Sequence, residues 1–371
     1  MHKILEICAP CDKGIVRFDS YVPGQAAYPA PGVFYVLLYL KILFAFAFAG
    51  ALIACPAQAL EGAQAGLRLW MEAVAPALLP FAVVMPYLTC AEARRMYDRL
   101  LGRVVNLLFA LPGSAASAMM TGFVAGSPAG AMAVARVATS ECMSRGDAVR
   151  LAGICCGVSP VYALTVMGMT LAGSRRTGWC FVISQLLAQI VTGLIFRNAF
   201  KEMKEPVNGV KKHASGRAMS DAVFAVLRVG GYMTIFSAGI CLAATLAGDW
   251  VLEFAPAIDL PSGVARVIGK GEPGWKAAAA LGFSGMCIIS QNIGVLRQLG
   301  ISVRAFIIQK LVCGIVCSGV YVLIDNGDVS KTVMTTVEKV PVFEVSLVFF
   351  VCLVLPIAIH FFRKTSEKHF S

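Results

Sequence analysis

The chain alternates between long apolar stretches and short polar segments. A helix needs about 20 apolar residues to cross a bilayer, and several stretches reach that length. The pattern therefore predicts an all-α, polytopic membrane protein with about seven transmembrane helices. These helices are expected at residues 33–55, 67–90, 151–172, 179–196, 222–246, 303–324 and 342–362.

Two further apolar regions are interrupted by glycine and proline. In residues 104–136, Leu111-Pro112-Gly113-Ser114 separates two short pieces, and Ser127-Pro128 should break a helix because proline removes a backbone donor. In residues 277–293, the break is Gly282-Phe283-Ser284-Gly285. Lipid offers the freed backbone groups no partner, so each break must face protein or water. Both regions are predicted to be re-entrant helical hairpins; the alternative is a kink at which small residues let helices pack closely.

The order of elements repeats along the chain. Gly122-Phe123 and Gly282-Phe283 lie 160 residues apart, and Val161-Tyr162 and Val320-Tyr321 lie 159 apart. Three crossings in each half would invert the second half, which predicts the inverted-repeat arrangement of secondary transporters. The predicted segments are an N-terminal tail of low order (1–32), a first transmembrane helix (33–58), a first half (59–198), a basic loop (199–218), a second half (219–363) and a C-terminal tail (364–371).

Composition and charge support a membrane protein. Hydrophobic residues make up 58% of the chain and charged residues only 14%, with a mean hydropathy of +0.75, which excludes an ordinary soluble domain. The net charge of +11 resides in short loops, as the positive-inside bias and contact with anionic lipids require. The basic segments 91–103 and 199–218 predict that the N-terminus lies in the cytoplasm, and no nucleic-acid partner is expected.

Cysteine usage adds little chemistry. Thirteen cysteines are present, most of them inside apolar segments, where a thiol behaves as a small hydrophobic group. Only Cys8 and Cys11 have the CxxC spacing of a redox or metal site, without a second pair or a histidine cluster nearby. No cofactor and no metal are predicted.

Several motifs resemble those of a known family. Gly66-Leu67-Arg68-Leu69-Trp70, Pro76-Ala77-Leu78-Leu79-Pro80-Phe81, Gly126-Ser127-Pro128-Ala129-Gly130 and Leu227-Arg228-Val229-Gly230-Gly231-Tyr232-Met233 are similar to the YlbJ-type sporulation integral membrane protein family. That family is grouped with the nucleoside-recognition, or Gate-domain, proteins. The resemblance implies Gate-like halves, a transporter-like core and a role in sporulation, including formation of the spore cortex. One departure is Cys156-Gly157-Val158-Ser159-Pro160, which lacks the asparagine of the family's polar turn.

The leading hypothesis is that the chain binds or moves a small polar solute. Helix N-termini at the two breaks would present free N–H groups to polar or anionic solutes. The alternative for each hydroxyl is a bond to its own backbone, whereas Gln291 and Asn292 would be costly to leave in lipid. The candidate solute-binding residues are Thr121, Gly126, Ser127, Pro128, Gly130, Ser159, Gly282, Ser284, Gly285, Gln291 and Asn292.

Two other functions remain open at this stage. The chain could be a non-transporting scaffold of the developing spore membrane, with partners docking on the basic loop through Lys211 and Lys212, or with copies of itself. More remotely, Ser284 in a GxSG pattern could pair with His360 as an intramembrane serine protease, although the sequence otherwise predicts no catalytic residues and no enzyme. Lys310 is expected near the end of its helix, where a lysine can reach the membrane surface.

Overall fold

The computed structural model describes residues 31–80, 90–207 and 218–326, and helices dominate these residues. The backbone divides into one unit that ends at Ala54 and another that begins at Cys55. The helices are α1 (Pro31–Ala54), α2 (Pro56–Leu69), α3 (Ala91–Phe109), α4 (Ala115–Ala125), α5 (Ala129–Ser140), α6 (Arg145–Cys155), α7 (Pro160–Tyr162), α8 (Arg175–Ile195), α9 (Ala218–Ala247), α10 (Ala255–Ile258), α11 (Leu260–Gly269), α12 (Gly274–Phe283), α13 (Gly285–Leu296) and α14 (Val303–Asn326).

Four helical segments in the described residues are long and apolar enough to cross a membrane. A fifth is counted if Ile42–Ala54 and Pro56–Pro80 are taken as one span. The prediction of an all-helical protein with several membrane spans is confirmed. The count of seven stays a prediction, and the span expected at 342–362 lies outside the described residues. The four segments are Arg175–Ile195, Val223–Ala247, Gly274–Leu299 and Val303–Asp325.

One face of α14 is exposed and apolar. Ile308, Leu311, Ile315 and Leu323 are all exposed and recur at helical spacing. A contiguous apolar face of this kind is costly in water and is stable against lipid tails. The surface of α14 therefore agrees with its assignment as a membrane span.

Two segments that the apolar pattern leaves outside the predicted transmembrane helices, residues 56–66 and 91–103, are helical and are not loops. Residues 56–66 belong to α2, which has Pro56 in its first turn, where the fixed φ of proline suits a helix start. Residues 91–103 belong to α3, and the sulfur of Cys90 caps its start by accepting a bond from the Ala93 N–H at 3.4 Å. Clustered arginines signalled a loop, but they lie on a helix with a polar and an apolar face.

The first hairpin is shifted relative to its predicted position. Helix α3 runs on to Phe109, so residues 104–109 belong to that helix and not to the hairpin. The two short helices are α4 and α5, and α5 extends to Ser140, beyond the predicted limit at residue 136. The break near Ser127-Pro128 is confirmed: α4 ends at Ala125, α5 begins at Ala129, and the Ser127–Pro128 peptide bond is cis. The second predicted hairpin is wrong: α12 and α13 follow one another across a break at which Ser284 and Gly285 have positive φ, and together they form one segment, Gly274–Leu299, long enough to cross the membrane.

Helices α4 and α12, each of which ends at a break, pack in the same way on a later helix. A Cβ added to Gly122 would lie 2.5 Å from the Cys155 carbonyl oxygen of α6. A Cβ added to Gly282 would lie 2.5 Å from the Cys313 carbonyl oxygen of α14. The absence of a side chain at either glycine therefore lets the two helices come into backbone contact.

Arg150 joins the ends of two helices from a buried position on α6. Its guanidinium donates to the Phe109 carbonyl at 3.0 Å and to the Ala110 carbonyl at 3.3 Å, at the end of α3. It also donates to the Arg197 carbonyl just beyond α8 and pairs with the Asp147 carboxylate. These carbonyls have no partner within their own helix ends, so Arg150 supplies the donors that they need.

We expect Arg150→Met to lower the free energy of unfolding by about 3 kcal/mol or more, because it leaves several buried carbonyls and the Asp147 carboxylate without their donor. The apparent unfolding temperature in detergent would report the loss. Arg95→Gln is the matched control, since Arg95 is exposed and pairs only with the nearby Glu92. Equal unfolding temperatures for Arg150→Met and the wild type would contradict this role.

We expect any side chain at Gly130 to destabilise the fold. A Cβ there would lie 2.1 Å from the Cys155 carbonyl oxygen, so Gly130→Ala should cost about 1–3 kcal/mol through forced backbone movement. Gly294 has nothing within 4 Å of its added Cβ, and Gly294→Ala should be neutral or stabilising by up to ~1 kcal/mol. The unfolding temperatures of both variants are measured under the same conditions. Equal losses of stability would contradict the predicted packing role of Gly130.

Candidate functional site

Two helix interruptions in the first half contact each other. The Ser127 N–H, between α4 and α5, donates to the Gly157 carbonyl, between α6 and α7, at 2.7 Å. A Cβ on Gly126 would lie 2.4 Å from the Ser159 nitrogen, and Gly126 has a φ of +65°. Only glycine meets both requirements without strain. Each interruption thus supplies backbone partners that the apolar surroundings lack.

Helix α13 of the second half reaches the same place. The Asn292 side-chain amide donates to the Ser127 hydroxyl at 2.9 Å, a contact between residues 165 positions apart. Asn292 is completely buried, and its carbonyl oxygen has no hydrogen-bond partner in the described residues. This bond connects a side chain of the second half to the helix break of the first.

A cavity of about 40 Å³ lies between these elements. Its polar lining comes from Ser127, Ser159, Tyr162, Cys287 and Gln291. A buried water needs roughly 10–15 Å³ of such space, whereas pockets for drug-sized ligands run to about 300–1,000 Å³. In this conformation the cavity can hold a few waters or one small ion.

The structure adds a buried carboxylate that sequence reasoning missed. Asp259, between α10 and α11, has no exposed surface. Its Oδ2 accepts from the Ser262 N–H at 3.3 Å and from the Ser237 hydroxyl at 3.5 Å, and its carboxyl group also interacts with the Cys287 thiol. Because Cys287 lines the cavity, Asp259 belongs to the same site.

The tyrosine of the cavity wall completes this group. Tyr162 is buried, and its hydroxyl has no hydrogen-bond partner among the described residues. It interacts electrostatically with both Asp259 and Cys287. The site therefore combines one buried acid with hydroxyl, thiol and amide groups drawn from both halves of the chain.

Comparison with known proteins gives one match. The sporulation integral membrane protein YlbJ of Bacillus subtilis (strain 168) is 23% identical over 312 residues, covering 71% of this chain and 76% of the relative. The chain is therefore similar to a YlbJ-type sporulation integral membrane protein. No family model matches it, and no solved structure gives a significant match.

The YlbJ-type resemblance inferred from the motifs is confirmed, and the structure shows that two of those motifs pack together. The Trp70 indole N–H donates to the Val226 carbonyl at 3.3 Å, and a Cβ on Gly230 would lie 2.7 Å from the Trp70 ring. YlbJ is named as a sporulation integral membrane protein, and the long apolar helices of this chain agree with an integral membrane protein. Its grouping with Gate-domain proteins stays a prediction.

The structure brings some of the predicted solute-binding residues to the cavity. Ser127, Ser159 and Gln291 line it, and Asn292 bonds to Ser127. The Ser159 hydroxyl also caps α7 by accepting from the Tyr162 N–H at 3.2 Å. Gly126 and Pro128 flank Ser127 and shape the break.

Other predicted residues lie away from the cavity lining. The Thr121 hydroxyl donates to the Ser117 carbonyl at 2.8 Å, which is the backbone bond expected of a threonine in an apolar helix. Gly130 and Gly282 serve helix packing. Gly285 permits close approach to α11, because an added Cβ would lie 3.0 Å from the Leu260 nitrogen.

Ser284 is also absent from the cavity lining. It is completely buried, and its hydroxyl lies 3.5 Å from the Leu281 carbonyl, one turn back on its own helix. The proposed partner His360 lies outside the described residues, so the protease hypothesis gains no geometric support. Within the ranges that the structure describes, no three His, Cys, Asp or Glu side chains form a group that could hold a metal ion.

Lys310 was placed wrongly from the sequence. It has no exposed surface, and its ammonium group has no hydrogen-bond partner in the described part of the chain. It lies near the thiols of Cys156 and Cys317, with which it interacts electrostatically. The neighbouring Gln309 donates to the Val149 carbonyl at 3.0 Å, so this part of α14 faces the protein interior.

We expect the contact between Asn292 and Ser127 to appear as a coupling energy. In a double-mutant cycle with Ser127→Ala and Asn292→Ala, the two losses in unfolding free energy should be non-additive by about 0.6 kcal/mol or more, the average for polar contacts in a membrane interior. Chemical unfolding in mixed micelles measures this value. Strict additivity would show that the bond contributes nothing to the joining of the two halves.

Proposed function

We propose that the chain binds a small polar solute in the cavity between its helix breaks and moves that solute across the cell membrane during sporulation, in support of spore cortex formation. The observation that carries the proposal is the cavity itself. It is walled by Ser127 and Ser159 from the first half and Gln291 from the second. Polar groups from interrupted helices, meeting inside an apolar bundle, are typical of transporter sites.

The small size of the cavity limits what it can hold. About 40 Å³ is too little for a nucleoside or an amino acid, so in our proposal solute entry requires the elements around the cavity to separate. The Asn292–Ser127 bond is the contact that such a movement breaks. Alternating access by movement of one half against the other fits an arrangement of two halves of opposite orientation.

The halves adopt this inverted arrangement in our proposal. The supporting observations are the repeated order of elements and the equivalent glycine contacts at Gly122 and Gly282. The N-terminus and the basic loop 199–218 face the cytoplasm, where anionic lipids are partners for that loop. Lys211 and Lys212, which carried the docking hypothesis, lie outside the described residues.

The central experiment combines Gln291→Ala with Asn292→Ala in a spore-forming host that lacks its own copy. Loss of about 1.4 kcal/mol of solute-binding free energy raises the dissociation constant tenfold. Where the solute is far below saturation, occupancy falls in proportion, and we expect a fall in heat-resistant spores of up to about tenfold at unchanged protein level. Gln298→Ala is the control, because Gln298 is exposed and its side chain donates to the Gly294 carbonyl four residues earlier. Unchanged spore yield in the double variant would remove the site.

A binding assay separates transport from scaffolding. The purified protein is heated in the presence of nucleosides, amino acids or small anions, since a ligand that binds the native state raises apparent stability. A stabiliser that acts on the wild type and not on the double variant supports solute binding. Normal spore yield of the double variant, together with no stabiliser, favours a scaffold that moves nothing.

A further inference from the structure

We propose that Asp259 is a proton-binding residue of the cavity, taking up and releasing a proton as the site works. The inference deepens the proposed function, because it supplies the ion that would be coupled to the solute. It rests on three observations: the burial of the carboxyl group, the lack of a cation beside it, and its connection to the cavity through Tyr162 and Cys287.

The two oxygens of Asp259 have different surroundings. Oδ2 accepts from Ser262 and Ser237, whose hydroxyls also bond to each other at 2.6 Å. Oδ1 has no hydrogen-bond partner among the described residues. A completely buried oxygen atom without a donor is costly for an ionised carboxylate. Addition of a proton to the carboxyl group removes that cost.

No positive side chain of the described residues compensates this carboxylate. The titratable groups that interact with it are Tyr162 from α7 and Cys287 from α13, and both are neutral when protonated. On the packed helices, Lys276 pairs instead with Glu272 at 2.8 Å, and Arg266 is exposed and faces Cys241. The remaining charged side chains on the elements packed against Asp259 are exposed: Glu61, Arg68, Arg228, Glu253 and Lys270.

The cavity provides the route for the proton. Tyr162 and Cys287 line it, and both interact with Asp259. About 40 Å³ accommodates water. In the uptake step a hydronium ion donates its proton, a new O–H bond forms at Oδ1, and neutral water remains; release is the reverse. No other reactant is required.

Protonation changes the charge next to the solute site from −1 to 0. Ser127 lines the cavity and accepts the bond from Asn292. In this proposal, proton binding at Asp259 and solute binding therefore involve the same group of residues. By linkage, each then alters the affinity for the other. The neutral form is favoured in this conformation, because Asp259 has no exposed surface.

Infrared difference spectroscopy of the full chain in liposomes tests the proposal without any solute. Spectra recorded against pH should show the C=O stretch of a buried, protonated carboxyl group, which shifts on exchange into heavy water. We expect this band in the wild type, its loss in Asp259→Asn, and its retention in Asp249→Asn. Asp249 is the matched control, because it is an exposed aspartate of the same segment.

Two further measurements distinguish a proton site from a metal-cation site and allow for a variant that does not fold. Sodium chloride is replaced by choline chloride at constant pH; an unchanged band is expected, whereas a band that follows sodium concentration would show a metal-cation site and overturn the proposal. If Asp259→Asn does not fold, Tyr162→Phe serves in its place and should move the midpoint pH of the band. An unmoved midpoint, or a band that survives in Asp259→Asn, refutes the inference.

The outcome is independent of the proposed function. If the carboxyl band is missing and the Gln291 and Asn292 double variant has a spore defect, the proton-binding inference is refuted and the solute-site proposal stands. If the band is assigned to Asp259 and that double variant sporulates normally, the solute-site proposal is refuted and the proton-binding inference stands.

Discussion

The whole arrangement depends on one constraint: inside an apolar bundle, every backbone group released by a broken helix must find a partner in the protein. The chain meets this constraint by placing its interruptions against one another. Ser127 donates from one break to Gly157 in the next, and Gly126 allows the approach. A polar region then forms in the interior, because several interruptions that share their partners must lie together.

The same constraint draws polar side chains from the second half into the first. Asn292 bonds to Ser127, and Gln309 bonds to the backbone of α6 at Val149. These bonds give the interior a specific register that apolar packing alone would not define. The polar interior is consequently both the place where the halves are joined and the place where chemistry can occur.

Local sequence was sufficient for features that depend on local backbone chemistry. Proline and glycine marked the breaks at Ser127-Pro128 and at Ser284, and amide side chains within an apolar stretch identified Gln291 and Asn292. Contacts between distant segments could not be predicted in this way. Nothing in the sequence around Asn292 specifies a partner 165 residues earlier.

The two largest omissions were buried charges. Asp259 lies between the spans predicted at 222–246 and 303–324 and outside the candidate residues, although an acid two positions before a proline is a helix N-cap signal. An acid among apolar residues is also a functional flag in a membrane protein. Lys310 was interpreted as a lysine that reaches the membrane surface because it was expected near the end of its helix. Its burial depends on how neighbouring helices surround it, which is a tertiary property.

The position of Lys310 has a consequence for biogenesis. An ammonium group within a transmembrane helix opposes release from the translocon into lipid by about 2.5–3.5 kcal/mol when the helix leaves alone. Helix α14 packs against α8 and α12, both of which are synthesised earlier. Its partitioning should therefore be cooperative, with α14 entering the bilayer as part of a preassembled cluster that shields the lysine from the lipid.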